Sequence, residues 1–206
     1  TNKVYMLSGT TALGTGGSID ATAGTTDTLV LTNTDAASLT TNATTTGAAF
    51  KTAVTGFETL DIGTAAASTI SLTAFGSFNE LVVTPAAVTQ TISGLTTGKT
   101  ITLNTTAAAF TSLTTNNLSG AADTLKVNLK GALSTALVAY GTLTTPGVEN
   151  LTINTVDSVT TFSGTLSTVT VVDTALQSVV ITGNNGVALT AASTAINNFD
   201  ASGLTK

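Results

Sequence analysis

The apolar residues of this chain come in bursts of two to four Val, Ile, Leu or Ala, each interrupted by Thr, Ser, Asn or Gly. Where the pattern is cleanest it alternates with a period of two. Examples are Asp27-Thr28-Leu29-Val30-Leu31-Thr32, Glu58-Thr59-Leu60-Asp61-Ile62, Glu80-Leu81-Val82-Val83, Thr100-Ile101-Thr102-Leu103 and Asn150-Leu151-Thr152-Ile153. Thr168–Val172, Ser178–Ile181 and Gly186–Leu189 continue it. Such alternation in β-branched residues fits a pleated, half-buried ribbon better than a helix. Each run therefore predicts a short strand, and Gly, Asn or Asp follows soon after most of them as a turn signal. Past Val169 the predicted strands centre near residues 170, 180, 188 and 199. That regular spacing of about ten residues indicates an all-β sandwich, barrel or solenoid.

A longer repeat narrows the choice. Gly24-Thr25-Thr26-Asp27-Thr28-Leu29-Val30 matches Gly120-Ala121-Ala122-Asp123-Thr124-Leu125-Lys126-Val127 as Gly, two small residues, Asp-Thr-Leu, then a β-branched residue. Some thirty residues after each comes a second pair, Gly56-Phe57-Glu58-Thr59-Leu60-Asp61-Ile62 and Gly147-Val148-Glu149-Asn150-Leu151-Thr152-Ile153. The chain thus divides into a leading segment 1–19 and two similar modules, 20–119 and 120–206. Repeats that bury their faces only by stacking build solenoids. Aromatics are too few to fill a wide sandwich core, whereas a narrow β-helix interior accepts Val, Ile, Leu and Ala. The expected fold is an all-β parallel β-solenoid, with a β-sandwich as the alternative. Two Ala-rich stretches, Ala48–Val54 and Ala132–Tyr140, space their apolar residues three to four apart and predict short flanking helical turns. Such a helix would shield a sheet edge.

Composition removes several functions. Of 206 residues only 8% are charged, against about 25% in an ordinary globular chain. Roughly a quarter are Thr, and the net charge is −5. Having no His and no Cys excludes Ser-His-Asp and thiol catalysis, imidazole or thiolate metal sites and disulfides. Six Lys and no Arg offer little to neutralise a phosphate backbone, so nucleic acid is not an expected partner. Mean hydropathy is +0.42, yet no apolar run approaches the roughly 18 residues of a spanning helix, and no membrane insertion is expected. A start at Thr1 without a signal peptide reads as a piece of a longer or processed protein.

The candidate metal ligands are Asp27 and Asp123, preferred for their repeated context, with Asp20, Asp61, Asp173 and Asp200. The competing role for each is an Asx-turn or strand-end cap, in which the carboxylate accepts nearby backbone N–H groups. Glu58 and Glu149 stand just before strands and read as solvated edge charges rather than ligands. Gly14-Thr15-Gly16-Gly17 lacks the Gly-Lys-Ser/Thr of a phosphate loop, and Asn184-Asn185-Gly186 is a turn signal. Paired carboxylates would suit a glycosidase, but Trp is absent and only Tyr5 and Tyr140 are present, so no enzyme is expected.

The two paired motifs, followed by Val179–Thr190 and Phe199–Thr205 in that order, resemble bacterial surface-layer proteins of the type I-secreted, RTX-related class. The resemblance implies a secreted, calcium-dependent β-solenoid that self-associates with identical subunits into a lattice on a Gram-negative cell surface. It also implies contact with cell-surface polysaccharide through other parts of a full-length protein. Asp27-x-Leu29 and Asp123-x-Leu125 each keep the Asp-x-Leu and one Gly of the calcium nonapeptide but lack its tandem glycines. Two other functions are compatible: an adhesin repeat binding glycans or neighbouring cells, and ice binding. For ice binding, Thr26-Asp27-Thr28, Thr32-Asn33-Thr34, Thr100-Ile101-Thr102 and Thr168-Val169-Thr170 fall at no fixed period, so no continuous rank is expected.

Overall fold

A computed structural model describes residues 3–5, 17–42, 46–105, 109–131, 138–157 and 166–205. The chain is an all-β parallel solenoid. Nine strands form one sheet in the order β1 (Lys3–Tyr5), β3 (Thr28–Val30), β5 (Thr59–Thr64), β7 (Glu80–Thr84), β9 (Lys99–Thr105), β11 (Thr124–Gly131), β13 (Asn150–Asp157), β15 (Ser178–Gly183) and β17 (Asn198–Leu204). Six form a second sheet, β6 (Thr69–Ser71), β8 (Thr89–Ser93), β10 (Phe110–Thr115), β12 (Val138–Thr144), β14 (Ser167–Val172) and β16 (Val187–Ala192). From β5 onward the chain alternates between the two sheets, so one odd and one even strand make each rung. The short pair β2 (Ile19–Asp20) and β4 (Val54–Thr55) stands apart, and every strand pairing among the described residues is parallel.

Parallel register explains why small aliphatic side chains suffice. Leu29, Leu60, Leu81, Ile101, Val127, Ile153 and Ile181 lie directly opposite one another on successive strands, forming one inward column through the nine-stranded sheet. All seven are buried in a core shared by both sheets. Fully burying each such side chain contributes about 1.5–3 kcal/mol. The column passes from residue 101 to residue 127, so the sheet continues across the boundary drawn at 119/120.

In the first complete rung, helices replace the even strand. Helix α1 (Asn33–Thr41) starts at Thr32, whose Oγ1 accepts the Asp35 N–H at 3.1 Å while its hydroxyl donates to the Asp35 carboxylate at 2.7 Å. This reciprocal cap offsets a polar, β-branched helix sequence. Helix α1 packs along β6, the first strand of the six-stranded sheet, and Thr40 Oγ1 accepts the Ser71 N–H at 2.9 Å. The sheet edge is thereby covered. Helix α2 (Thr46–Ala53) is fixed by Phe50, whose ring meets Phe75 edge-on with centroids 6.3 Å apart.

The helix expected over Ala132–Tyr140 is corrected in part. Val138, Ala139 and Tyr140 belong to β12, and residues 132–137 lie outside the described residues. Val138 pairs with Ser167 and Ala139 with Thr168, and Tyr140 is buried in the core, so strand pairing overrides the helical spacing. Among the described residues no helix is long and apolar enough to cross a membrane.

Candidate functional site

The two repeated motifs form one corner, built twice. At the second, the Asp123 carboxylate folds back to accept the Gly120 N–H at 2.6 Å. A Cβ on Gly120 would lie 2.8 Å from both carboxylate oxygens, and one on Gly24 would collide with the Asp27 carboxylate, so the glycine makes room for the aspartate. The Asp123 N–H then donates to Glu149 Oε2 at 2.7 Å, and the Asp27 N–H donates to Glu58 Oε2 at 2.8 Å. The main chain follows the same path: Asn150 N–H donates to the Asp123 carbonyl, and Glu58 and Thr59 N–H to the Asp27 carbonyl. Thr28 pairs with Thr59, and Thr124 with Asn150, so each Gly-x-Glu motif is the next turn of the nine-stranded sheet laid on its Asp-Thr-Leu motif. Glu149 is 8% exposed. The structure thus corrects the reading of Glu58 and Glu149 as solvated edge charges, because each carboxylate is aimed at a backbone amide of the preceding turn.

The remaining candidate acids sit singly at other turns. Asp173, 3% exposed, accepts from the Val148 and Ala175 amides at 2.9 Å each, from Gly147 N–H at 3.3 Å and from the Thr145 hydroxyl at 3.4 Å. It ties the corner after β14 to the corner after β12. Asp61 accepts the Gly63 N–H at 3.0 Å, and Lys3 Nζ lies 4.0 Å from its other oxygen. The exposed pair Asp20 and Asp200 make Asx-turns to Thr22 N–H at 3.0 Å and Ser202 N–H at 2.8 Å. Those backbone bonds, and the hydroxyls beside them, hold both carboxyls below the ordinary aspartate value. The nearest gathering of candidates is the Asp–Glu pair at each repeated corner. Among the described residues no three acidic side chains converge on a point that could hold a metal ion.

The outer faces of the two sheets differ in chemistry. Among the described side chains, the nine-stranded sheet carries Lys3, Asp61, Glu80, Lys99, Lys126, Lys130 and Asp200 on its strands, whereas the strands of the six-stranded sheet carry no charge. A hydrogen-bonded ladder crosses the charged sheet. Thr102 donates to Glu80, Asn128 Nδ2 to Thr102 at 2.9 Å, Asn154 Nδ2 to Asn128 at 3.2 Å, and the Thr182 hydroxyl to Asn154 at 3.1 Å. On the uncharged sheet, hydroxyls align instead. Thr69, Thr91, Thr114 and Thr144 are successive register partners, and Thr142, Thr170 and Thr190 form a second rank two residues away along the strands. Of the four Thr-x-Thr segments singled out in the sequence, only Thr168-Val169-Thr170 lies on this sheet. The aligned ranks come from segments at unequal sequence spacing, because the corners absorb the difference.

Concavities are modest. Lys51 and Lys99 face a groove of about 280 Å³ with Leu72, Thr73, Ser77 and Phe78. A more apolar hollow of about 490 Å³ lies among Tyr5, Val30, Leu31, Asn33 and Ile62. Asn184 and Asn185 stand at the turn between β15 and β16, while Gly14–Gly17 falls outside the described residues except for Gly17. The sequence reading missed the carboxylate-to-amide link between paired motifs. Its one available signal was that Glu58 and Glu149 hold the same place after a glycine in both copies. Comparison with family models, curated proteins and solved structures returns no match to this chain.

Proposed function

We propose that this chain is a structural rod segment of a secreted bacterial surface-layer protein, self-associating into a cell-surface lattice with the help of calcium. The observation that carries this reading is the inward column running unbroken from Leu29 to Ile181. Stacked parallel rungs sharing one core resist bending and shear together, which suits a load-bearing element. The low charge supports the same reading, since identical subunits with few charges repel one another little on packing. Calcium would use the Asp27–Glu58 and Asp123–Glu149 corners, completed by backbone carbonyls, hydroxyls and water to the six to eight oxygens it requires. No covalent chemistry is assigned to any residue.

Negative-stain microscopy and thermal melting of the chain, with Ca²⁺ and with a chelator, test this reading. Ordered arrays that form in Ca²⁺ and disperse in chelator, with a lowered Tm, are expected. Arrays and Tm indifferent to chelator would remove calcium from the proposal. Dispersed particles under every condition would remove the lattice.

A further inference from the structure

We propose that the outward face of the six-stranded sheet is the surface through which this chain packs against a second copy of itself. The inference rests on the self-association reading above and names the contact that reading leaves open.

Three observations point to this face and to a like partner. Charge is segregated: among the described residues, the strands of the nine-stranded sheet carry all the charge found on the two large sheets. Two copies brought together through the six-stranded face therefore meet no like-charge penalty, which costs several kcal/mol at a charged contact. The face is also periodic. Its hydroxyl ranks repeat at the strand separation of about 4.8 Å, with about 6.6 Å between ranks two residues apart. A second solenoid of the same sequence carries the same repeat and meets it in step along its length. Finally, the hydroxyl rank on β14 and β16 is flanked by an apolar step: Val172, which is 37% exposed, stands opposite Ala192, two residues beyond Thr170 and Thr190. Apolar contact at that step adds to hydroxyl pairing along the two threonine ranks.

The size of the face sets the strength. Six strands about 4.8 Å apart, each presenting about 17 Å, give roughly 400 Å² per copy. This is about half of what each partner buries in a standard stable interface. A single contact is accordingly weak, and the association gains strength by repetition across an array.

The absence of native cysteine permits a direct test. Thr142→Cys places a thiol on the face, and Thr152→Cys places one on the outer side of the nine-stranded sheet. Each chain is treated with a short bismaleimide at high concentration in Ca²⁺. Cross-linked dimer from Thr142→Cys is expected to exceed that from Thr152→Cys by about tenfold, and adding Thr114→Lys with Thr170→Lys is expected to suppress it by a similar factor. Circular dichroism melts verify that the lysine variants fold, and if they do not, the comparison of the two cysteine positions decides alone. Equal cross-linking at both positions, or arrays that survive the two lysines in a folded chain, overturns this face while leaving the lattice reading intact. A chain that neither cross-links nor assembles overturns both. Retardation of ice growth by such a monomer, lost with the two lysines, would identify ice as the occupant in place of a second copy.

Discussion

The backbone N–H of Asp123 points at Glu149 Oε2 from one turn of the solenoid to the next, at 2.7 Å. Asp27 and Glu58 repeat the arrangement at 2.8 Å, almost a hundred residues earlier in the chain. In each case the residue just before one strand of the nine-stranded sheet is held by the residue just before a neighbouring strand. A charge-assisted bond to a buried amide is among the stronger polar contacts available to a folded chain.

Replacing Glu149 tests that value. Glu149→Ala leaves the Asp123 amide buried without an acceptor and is expected to cost about 2–3 kcal/mol; Glu149→Gln keeps an oxygen in reach and should cost about 1 kcal/mol. Urea denaturation midpoints at constant m-value distinguish the two. Equal losses would show that the carbonyl oxygen and the carboxylate are not interchangeable at this corner.

Asp123 has a turn role whether or not it also binds calcium, and one substitution separates these. Under the proposed function, Ca²⁺ raises the Tm of the native chain and raises that of Asp123→Asn less. A Tm lowered by the same amount with and without Ca²⁺ would confine Asp123 to accepting the Gly120 amide.

Gly141 and Gly98 both adopt positive φ, +83° and +80°, but in different surroundings. A Cβ at Gly141 would collide with the Phe110 carbonyl, whereas one at Gly98 meets nothing within 4 Å. Gly98→Ala should therefore cost only the left-handed backbone penalty of about 1–2 kcal/mol. Gly141→Ala should cost clearly more, or prevent folding, because the neighbouring strand must also move. Thermal melts of the two variants side by side provide the check.

Gln90 is fully buried in a column otherwise made of Leu113, Leu143, Val171 and Ala191. Its Nε2 lies 3.5 Å from the Ser68 hydroxyl, and its Oε1 has no hydrogen-bond partner among the described residues. Gln90→Leu removes that unsatisfied oxygen at similar volume and is expected to stabilise the chain by about 1 kcal/mol. A lower Tm would show that the polar contact with Ser68 matters more than the orphaned oxygen.

Asp200 gives the pH prediction. The Ser202 amide and hydroxyl favour its charged form, so its folded pKa lies below the ordinary aspartate value. Its contribution to stability is therefore present above that ordinary value and is lost as pH falls through it towards the depressed folded value. NMR titration of the Asp200 carboxyl should give a midpoint lower than that of an unstructured aspartate, and Ser202→Pro, which removes the N–H, should raise it.

Much of the nine-stranded sheet was readable because its inward positions hold large aliphatics in strict alternation, as at Leu60 and Ile62 or Leu151 and Ile153. The first even strands were not. Strand β8, Thr89-Gln90-Thr91-Ile92-Ser93, places a glutamine and one isoleucine inward, so nothing in its composition separates it from a loop. Helix α1 was equally hidden, since Asn33–Thr41 is polar with three threonines and shows only the Thr32–Asp35 cap as a signal. Its counterpart expectation through Tyr140 gave way to pairing with β14.

The order of residues alone determined that this chain builds short, aliphatic-cored, threonine-clad strands, because period-two alternation and scarce charge leave few other ways to bury its apolar surface. Register, and with it the side-chain neighbours, was decided only by the tertiary structure. Corners of unequal length bring threonines from different parts of the sequence into one rank, and bring each motif glutamate under an aspartate amide some thirty residues away. Sequence separation says little about such meetings, since in a stacked column distance is measured in turns and each turn spends its own number of residues on its corner.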